Sequence, residues 1–231
     1  MFFDPLYWML LGPGLILALI ATVKTKMTFH RYSRVAAASG LTGAQAARRL
    51  LDSQGAGDVR VEQVDGFLSD HYDPTSHTLR LSTDVYDSPS LSAIGVACHE
   101  AGHALQQATG YAWLNLRTAL VPATQFGNFG SYIFIMLGII INSMHLFMIG
   151  ALLFAVVVAF SLITLPVEWD ASARAKRLMV AAGIVSPREQ EDAARVLNAA
   201  FLTYVAAAVT ALLTLLYYLI RSGLLGGRRN D

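Results

Sequence analysis

The octapeptide CHEAGHAL, residues 98–105, places two histidines and a glutamate within five positions of a 231-residue chain that has only six histidines in all. On a helix, the spacing of His99 and His103 puts both imidazoles on one face, one turn apart, where they can ligate a single ion. Glu100 stands beside the first histidine. It flanks the ion rather than binding it, which suits a base acting on a metal-activated water. A catalytic zinc takes three protein ligands and leaves one position open, so a third donor must come from outside the octapeptide.

Candidates are His30, His71, His77, His145 and the carboxylates. Glu168, in TLPVEWDASARAKRL, is the strongest. The alternative for it is a membrane-surface carboxylate paired with Arg174 or another base. Asp170 is two residues further on, points elsewhere on a helix, and suits an outer partner of a ligand. A developing oxyanion needs a donor besides the metal, and His71, Tyr72 and Arg174 are candidates. Each has an ordinary alternative as a turn residue or an ion-pair partner. Cys98 diverges from His99 on a helix and reads as a small core residue. Gly102 either admits a neighbouring backbone or is simply tolerated.

The elements that must position these residues are written in the hydropathy. The chain is 55% hydrophobic and 14% charged, against about 25% charged in ordinary soluble domains. Its net charge of +1 and the lack of a basic stripe argue against a nucleic-acid partner. A lone cysteine excludes an intrachain disulfide. Four apolar runs, residues 6–23, 121–141, 146–165 and 199–220, suit helices crossing a bilayer, which needs about 20 residues. The second and third are joined only by NSMH and predict a tight helical hairpin. Spans two to four lack Asp, Glu, Lys, Arg and His, which speaks against an ion or proton path. Gln125, Asn128 and Ser131 read as line-up for a wet groove or as interhelical hydrogen bonders.

Lys24, Lys26, Arg31 and Arg34 follow the first run, and MFFDP before it lacks the basic start of a signal peptide. By the positive-inside rule the chain from residue 24 faces the cytoplasm, the hairpin leaves and returns, and Arg174, Lys176, Arg177, Arg188 and Arg195 are inside again. His145 then falls on the wrong side for the site. Arg221, Arg228 and Arg229 run against the rule. The hairpin returns the chain to the face it left, so Glu168 comes back to the side that holds His103.

Between the first two runs lies a polar segment. Thr42 and Gln45 form a capping-box pattern for a helix ending near Gly55. VRVEQV, residues 59–64, alternates like a strand. TLRLS, residues 78–82, reads as a second strand after the turn-rich SDHYDPTSH, either an edge that pairs with extended substrate or an ordinary sheet strand. The motif helix has Ser88 as N-cap, Pro89 in its first position and Gly110 as its stop. Residues 166–198 carry two helical patterns separated by Gly183, the second capped by SPRE.

HEAGH, a membrane hairpin and VEWDASARA, together with SDHYDPTSHTLRLSTDVYDSPSLSAIGVACHEAGHALQ, resemble the YugP-like membrane neutral zinc metallopeptidases nearly throughout. More distantly the plan is similar to the HtpX-type membrane proteases. The HtpX pattern places alanine-aspartate three and four positions after its glutamate, whereas this chain has Ala171 and Ser172, with an aspartate at 170. The resemblance implies a gluzincin-type site, with one zinc held by His99, His103 and Glu168, and Glu100 as catalytic base. The expected architecture is mainly α, a four-helix transmembrane protein with a small α+β cytoplasmic zincin-like domain carrying the motif helix. Its parts are a first span (1–23), that domain (24–118), the hairpin (119–165), a cytoplasmic segment bearing the third ligand (166–198), and a last span with a short tail (199–231). The expected activity is hydrolysis of peptide bonds in a protein or peptide substrate by a zinc-activated water. The expected setting is a bacterial plasma membrane, with the site facing the cytoplasm and the bilayer as the other partner. The alternative is a zinc-binding membrane scaffold or regulator without turnover.

Overall fold

The computed structural model describes residues 4–66 and 69–225; Arg228 and Arg229, expected in the tail, lie outside them. The chain divides into two compact units. One, here the apolar unit, is Met1–Ile20, Leu116–Leu165 and Tyr204–Asp231; the other, the polar unit, is Ala21–Asn115 and Pro166–Thr203. Among the described residues, four helices are long and apolar enough to cross a membrane: α1 (Pro5–Tyr32), α5 (Ala112–Ile140), α6 (Met144–Ala181) and α7 (Pro187–Arg221). Each contributes residues to both units.

In the polar unit, helix α2 (Gly43–Ser53) begins with the expected capping box. Thr42 accepts from the Gln45 amide, and the Gln45 side chain accepts from the Thr42 amide. Strand β1 (Arg60–Val64) pairs parallel with β3 (Thr78–Ser82), and β2 (His71–Asp73) pairs antiparallel with the other side of β3. TLRLS is therefore the central strand, and its ladder groups are already taken on both sides. The edge-strand alternative for it is corrected. Thr78, Leu79, Leu81 and Ser82 are buried, as a central strand covered on both faces requires. Strand β2 lies inside the stretch that reads as a turn. The turn is real: Asp73 accepts from the Thr75 amide at 2.9 Å and from its hydroxyl at 2.6 Å. Three residues are too few for alternation to reveal the strand beside it.

A short helix α3 (Thr83–Tyr86) leads to the motif helix α4 (Leu91–Ala108). Its cap is Ser90, whose hydroxyl accepts from the Ala93 amide, not Ser88. The reason is tertiary. Ala37 donates to the Pro89 carbonyl and Leu91 to the Val35 carbonyl, each at 2.9 Å, so residues 89–91 are held extended against residues 35–37. Gly110, at φ +64°, stops α4 as expected. Helix α6 runs through Pro166 without a break, and the division of the chain into units falls within it, between Leu165 and Pro166. Helix α7 starts at Pro187 behind a reciprocal pair in which the Glu189 side chain accepts from the Ser186 amide and the Ser186 hydroxyl from the Glu189 amide. The core under the sheet and α4 includes Leu50, Leu51, Leu79, Leu81, Ile94, Met179 and Ile184, all fully buried.

The apolar unit has the expected hairpin. α5 ends at Ile140, Asn142 turns the chain at φ +53°, and α6 starts at Met144. The two helices pack backbone to backbone: a Cβ on Gly138 would meet the Phe147 amide nitrogen at 2.6 Å, and one on Gly150 the Ile135 amide nitrogen at 2.8 Å. Small residues at such crossings are what permit close packing of apolar helices. Ser131 donates back to the Asn128 carbonyl, and Asn128 and Ser131 line a cavity with Tyr132, Ile135 and Phe154.

Candidate metal centre

The polar unit builds one site from two helices. α4 supplies His99 and His103 from the same face, with ring centroids 4.8 Å apart. α6 supplies Glu168. Gly102 decides how close the helices come: a Cβ there would sit 2.6 Å from the Ala171 carbonyl oxygen. A glycine at this position is what lets the motif helix lie against the α6 backbone, so of the two readings of Gly102 close approach is the right one.

The geometry is specific at the atom level. His99 Nε2 lies 3.2 Å and His103 Nε2 3.6 Å from the same oxygen, Glu168 Oε2. One donor atom from each of the three residues lies within 4.8 Å of the others. Two donors each about 2.0–2.1 Å from a tetrahedral zinc stand about 3.4 Å apart, so these separations fit that ion. The other ring nitrogens are occupied. His103 Nδ1 is 3.0 Å from Gln106 Oε1 and His99 Nδ1 is 3.0 Å from Ser172 Oγ. The Gln106 amide is oriented by its own donations, to the Val167 carbonyl at 2.8 Å and Asp170 Oδ2 at 2.9 Å. Its Oε1 can therefore only accept, which forces the proton of neutral His103 onto Nδ1 and leaves the Nε2 lone pair facing Glu168.

Charge and burial act together on these groups. Glu168 is 2% exposed. Burial pushes its carboxyl up, yet hydrogen bonds and charge from His103 and His99 more than offset this and hold it well below the usual carboxylate range. Burial pulls His103 down, but Glu168, Glu100 and Gln106 lift it above the ordinary imidazole value. The donor set of two imidazole nitrogens and one buried carboxylate oxygen suits zinc.

Glu100 is half-buried, and its charge raises both His103 and Asp70, so it borders the same site. Asp170 reaches His103 only through Gln106 and is also paired with Arg174 at 2.6 Å. That pairing engages Arg174, one of the bases that the alternative reading offered for Glu168, at Asp170 instead. Tyr72 donates to Gln107 at 2.6 Å, and His71 is exposed with Nδ1 donating to the Ser69 carbonyl at 2.7 Å. Neither is among the convergent donors. Cys98 is fully buried, its thiol pushed up to about 12 by desolvation. Gln106 and Ser172 are the site residues that sequence reasoning missed. Gln106 lies three residues after His103 and so shares its helix face, and Ser172 stands where the HtpX pattern has its aspartate, a signal that pointed to the position though not to its contact with His99.

A helix with this His-Glu pair, crossed by a second helix bearing a buried carboxylate, is the donor arrangement of a zinc metallopeptidase. Residues 7–223 match the family described as "Putative neutral zinc metallopeptidase", and the chain belongs to that family. The "Putative membrane protease YugP" of Bacillus subtilis (strain 168) is 46% identical over 200 residues, covering 87% of this chain and 89% of that protein. No solved structure matches the chain.

Proposed function

We propose that this chain is an integral membrane zinc-dependent endopeptidase, with a zincin-like polar unit facing the cytoplasm. The observation that carries the reading is the meeting of His99 Nε2, His103 Nε2 and Glu168 Oε2, with both Nδ1 atoms already committed. In this reading His99, His103 and Glu168 hold the ion. Zinc bound there supplies a Lewis acid that polarises a carbonyl and makes water nucleophilic near neutral pH. Glu100 takes the proton from the attacking water and returns it to the leaving peptide nitrogen. Gln106 and Ser172 hold the two imidazoles in one tautomer and orientation, and Asp170 holds Gln106. The candidates for donor to the developing oxyanion are His71, Tyr72 and Arg174, each of which would have to exchange its present partner, Ser69, Gln107 or Asp170, for the substrate.

The cytoplasmic placement is supported by the cations. Lys24, Lys26, Arg31, Arg34, Arg174, Lys176, Arg177, Arg188 and Arg195 all belong to the polar unit, as the positive-inside rule requires of a cytoplasmic part. The buried, unreactive Cys98 makes this testable. A cysteine at Ser143 should label with an impermeant reagent from outside, and one at Ser76 should not; the opposite pattern overturns the placement.

The decisive experiment is zinc per chain in detergent-purified protein, for the wild type, His103→Ala and Glu168→Ala, alongside hydrolysis of an unfolded protein. About one zinc in the wild type, lost or weakened in both variants, with zinc-dependent cleavage, is the expected result. Folded wild-type protein that takes up no zinc overturns the reading. Zinc without cleavage leaves a binding scaffold.

A further inference from the structure

We propose that a cleft between α1 and α7 in the polar unit binds the phosphate headgroup of an anionic phospholipid. The cleft has a volume of about 370 Å³ and is lined by Lys24, Thr28, Arg31 and Tyr32 from α1 and by Arg195 and Asn198 from α7. Lys24, Thr28 and Arg31 are spaced i, i+4 and i+7, so they share one helix face. Arg195 and Asn198 are spaced i and i+3 on the facing helix. The wall between the helices is rigid, because the Thr25 hydroxyl donates across it to the Ala199 carbonyl at 2.8 Å and Ala21 and Ala199 are buried at the crossing.

The charge of the cleft is one-sided. Three cations line it, with three residues that carry neutral donors, Thr28, Tyr32 and Asn198, and no lining carboxylate. Among the described residues, Lys24 and Arg31 form no ion pair, and Arg195 reaches only Asp192, at 3.7 Å in an exposed i,i+3 contact. Such exposed pairs contribute little, so the three charges remain available to an anion. Arg31 also stands 5.5 Å over the Tyr32 ring. Lys176 adds a fourth cation nearby, bonded to Asn198 Oδ1 at 3.2 Å.

Position selects the lipid over a free anion. Lys24 directly follows the apolar run 6–23, and Asn198 directly precedes the apolar run 199–220. If α1 and α7 cross a bilayer, as the proposed function holds, the cleft lies at headgroup depth, where a phosphodiester is at high local concentration and its acyl chains extend along the apolar helices. Trp169 marks the same level on α6. It is 58% exposed, packed edge-on against Phe201 at 5.3 Å and covered by Lys176 at 5.4 Å, the amphipathic placement of interfacial aromatics. The site is separate from the metal centre and requires no turnover.

The test is native mass spectrometry of the full chain released from detergent, titrated with dioleoyl phosphatidylglycerol, with dioleoyl phosphatidylcholine, and with inorganic phosphate. The wild type should retain phosphatidylglycerol at least tenfold better than phosphatidylcholine. The triple variant Lys24→Gln, Arg31→Gln, Arg195→Gln should lose most of that preference. A control of equal charge loss, Arg49→Gln, Arg60→Gln, Arg188→Gln, should keep it. No preference in the wild type overturns the proposal without any variant. Loss in the control as much as in the triple variant also overturns it, because the effect would then be net charge. Displacement of the lipid by inorganic phosphate at equal concentration would mean a free-anion site and overturns the lipid assignment. Zinc content, measured on the same samples, reports separately on the metal centre, and extraction of the chain from membranes by alkaline carbonate would sink the bilayer premise itself.

Discussion

The two units use hydrophobic residues in opposite ways. In the polar unit the large apolar side chains turn inward, with Leu50, Leu51, Leu79, Ile94 and Met179 fully buried. In the apolar unit they turn outward, with Phe126 79%, Phe129 70%, Ile140 70% and Leu152 67% exposed. The first unit is organised by removing apolar surface from water. In the second, if its helices cross a bilayer as proposed, that force does not act between them, and close backbone packing at glycines takes its place. Polar groups follow the same division. The buried network of His103, Gln106, Glu168 and Ser172 belongs to the unit that excludes water around a site. The hydroxyls of Thr124, Ser131, Ser161, Thr164, Thr210 and Thr214 bond back to carbonyls within their own helices, as the proposed bilayer setting would require of them.

The largest effect expected from breaking this contrast is chemical. Glu100→Gln should lower peptide cleavage by about 10²–10⁴-fold, the usual contribution of a positioned general base, while zinc per chain stays at the wild-type value. Full retained activity would remove Glu100 from that role. Next is a paired comparison of packing. Leu50→Ala should cost about 2–5 kcal/mol of stability, because it opens a cavity in a dense core. Leu152→Ala, at a position 67% exposed and lipid-facing in the proposed reading, should cost well under about 1 kcal/mol in reconstituted protein, apart from any change in insertion. Unfolding curves with equal shifts would mean that the two units do not differ in the way their burial indicates.

Smaller is the effect of loosening a ligand without removing it. Gln106→Leu takes away the acceptor that holds His103 Nδ1, and zinc affinity should fall about 10–100-fold, the usual cost of losing a partner of a metal ligand. Competition with a chelator reads this directly, and an unchanged affinity would reduce Gln106 to a packing residue. The smallest effect is expected at the hairpin. Gly138→Ala puts a methyl where Phe147 already stands and should cost about 1–3 kcal/mol through overpacking, with zinc content unaffected. A loss of zinc in that variant would show that the apolar unit shapes the metal centre.

Local features were legible in the sequence because their causes are local. The capping box at Thr42, the stop at Gly110, the strands at residues 59–64 and 78–82, and the four long apolar runs each follow from side-chain chemistry within a few residues or from hydropathy alone. The pairing of His99 with His103 followed from helical periodicity. Glu168 was reachable because the hairpin constrains where the chain returns. The cap of α4 was misplaced at Ser88 because residues 35–37, far away in sequence, hold residues 89–91 extended. Strand β2 went unseen because its turn chemistry was strong and its ladder short.

By itself, then, the sequence determined which residues could ligate and which segments could enter a bilayer, since composition and spacing are properties of the chain. Only the tertiary structure decided that β3 is central, that Gly102 lies against the Ala171 carbonyl, that Arg174 belongs to Asp170, and that Ser172 and Gln106 take the two Nδ1 atoms. Those depend on which backbones meet, and that is set by the packing of α4 against α6, a contact between segments some 70 residues apart in the chain.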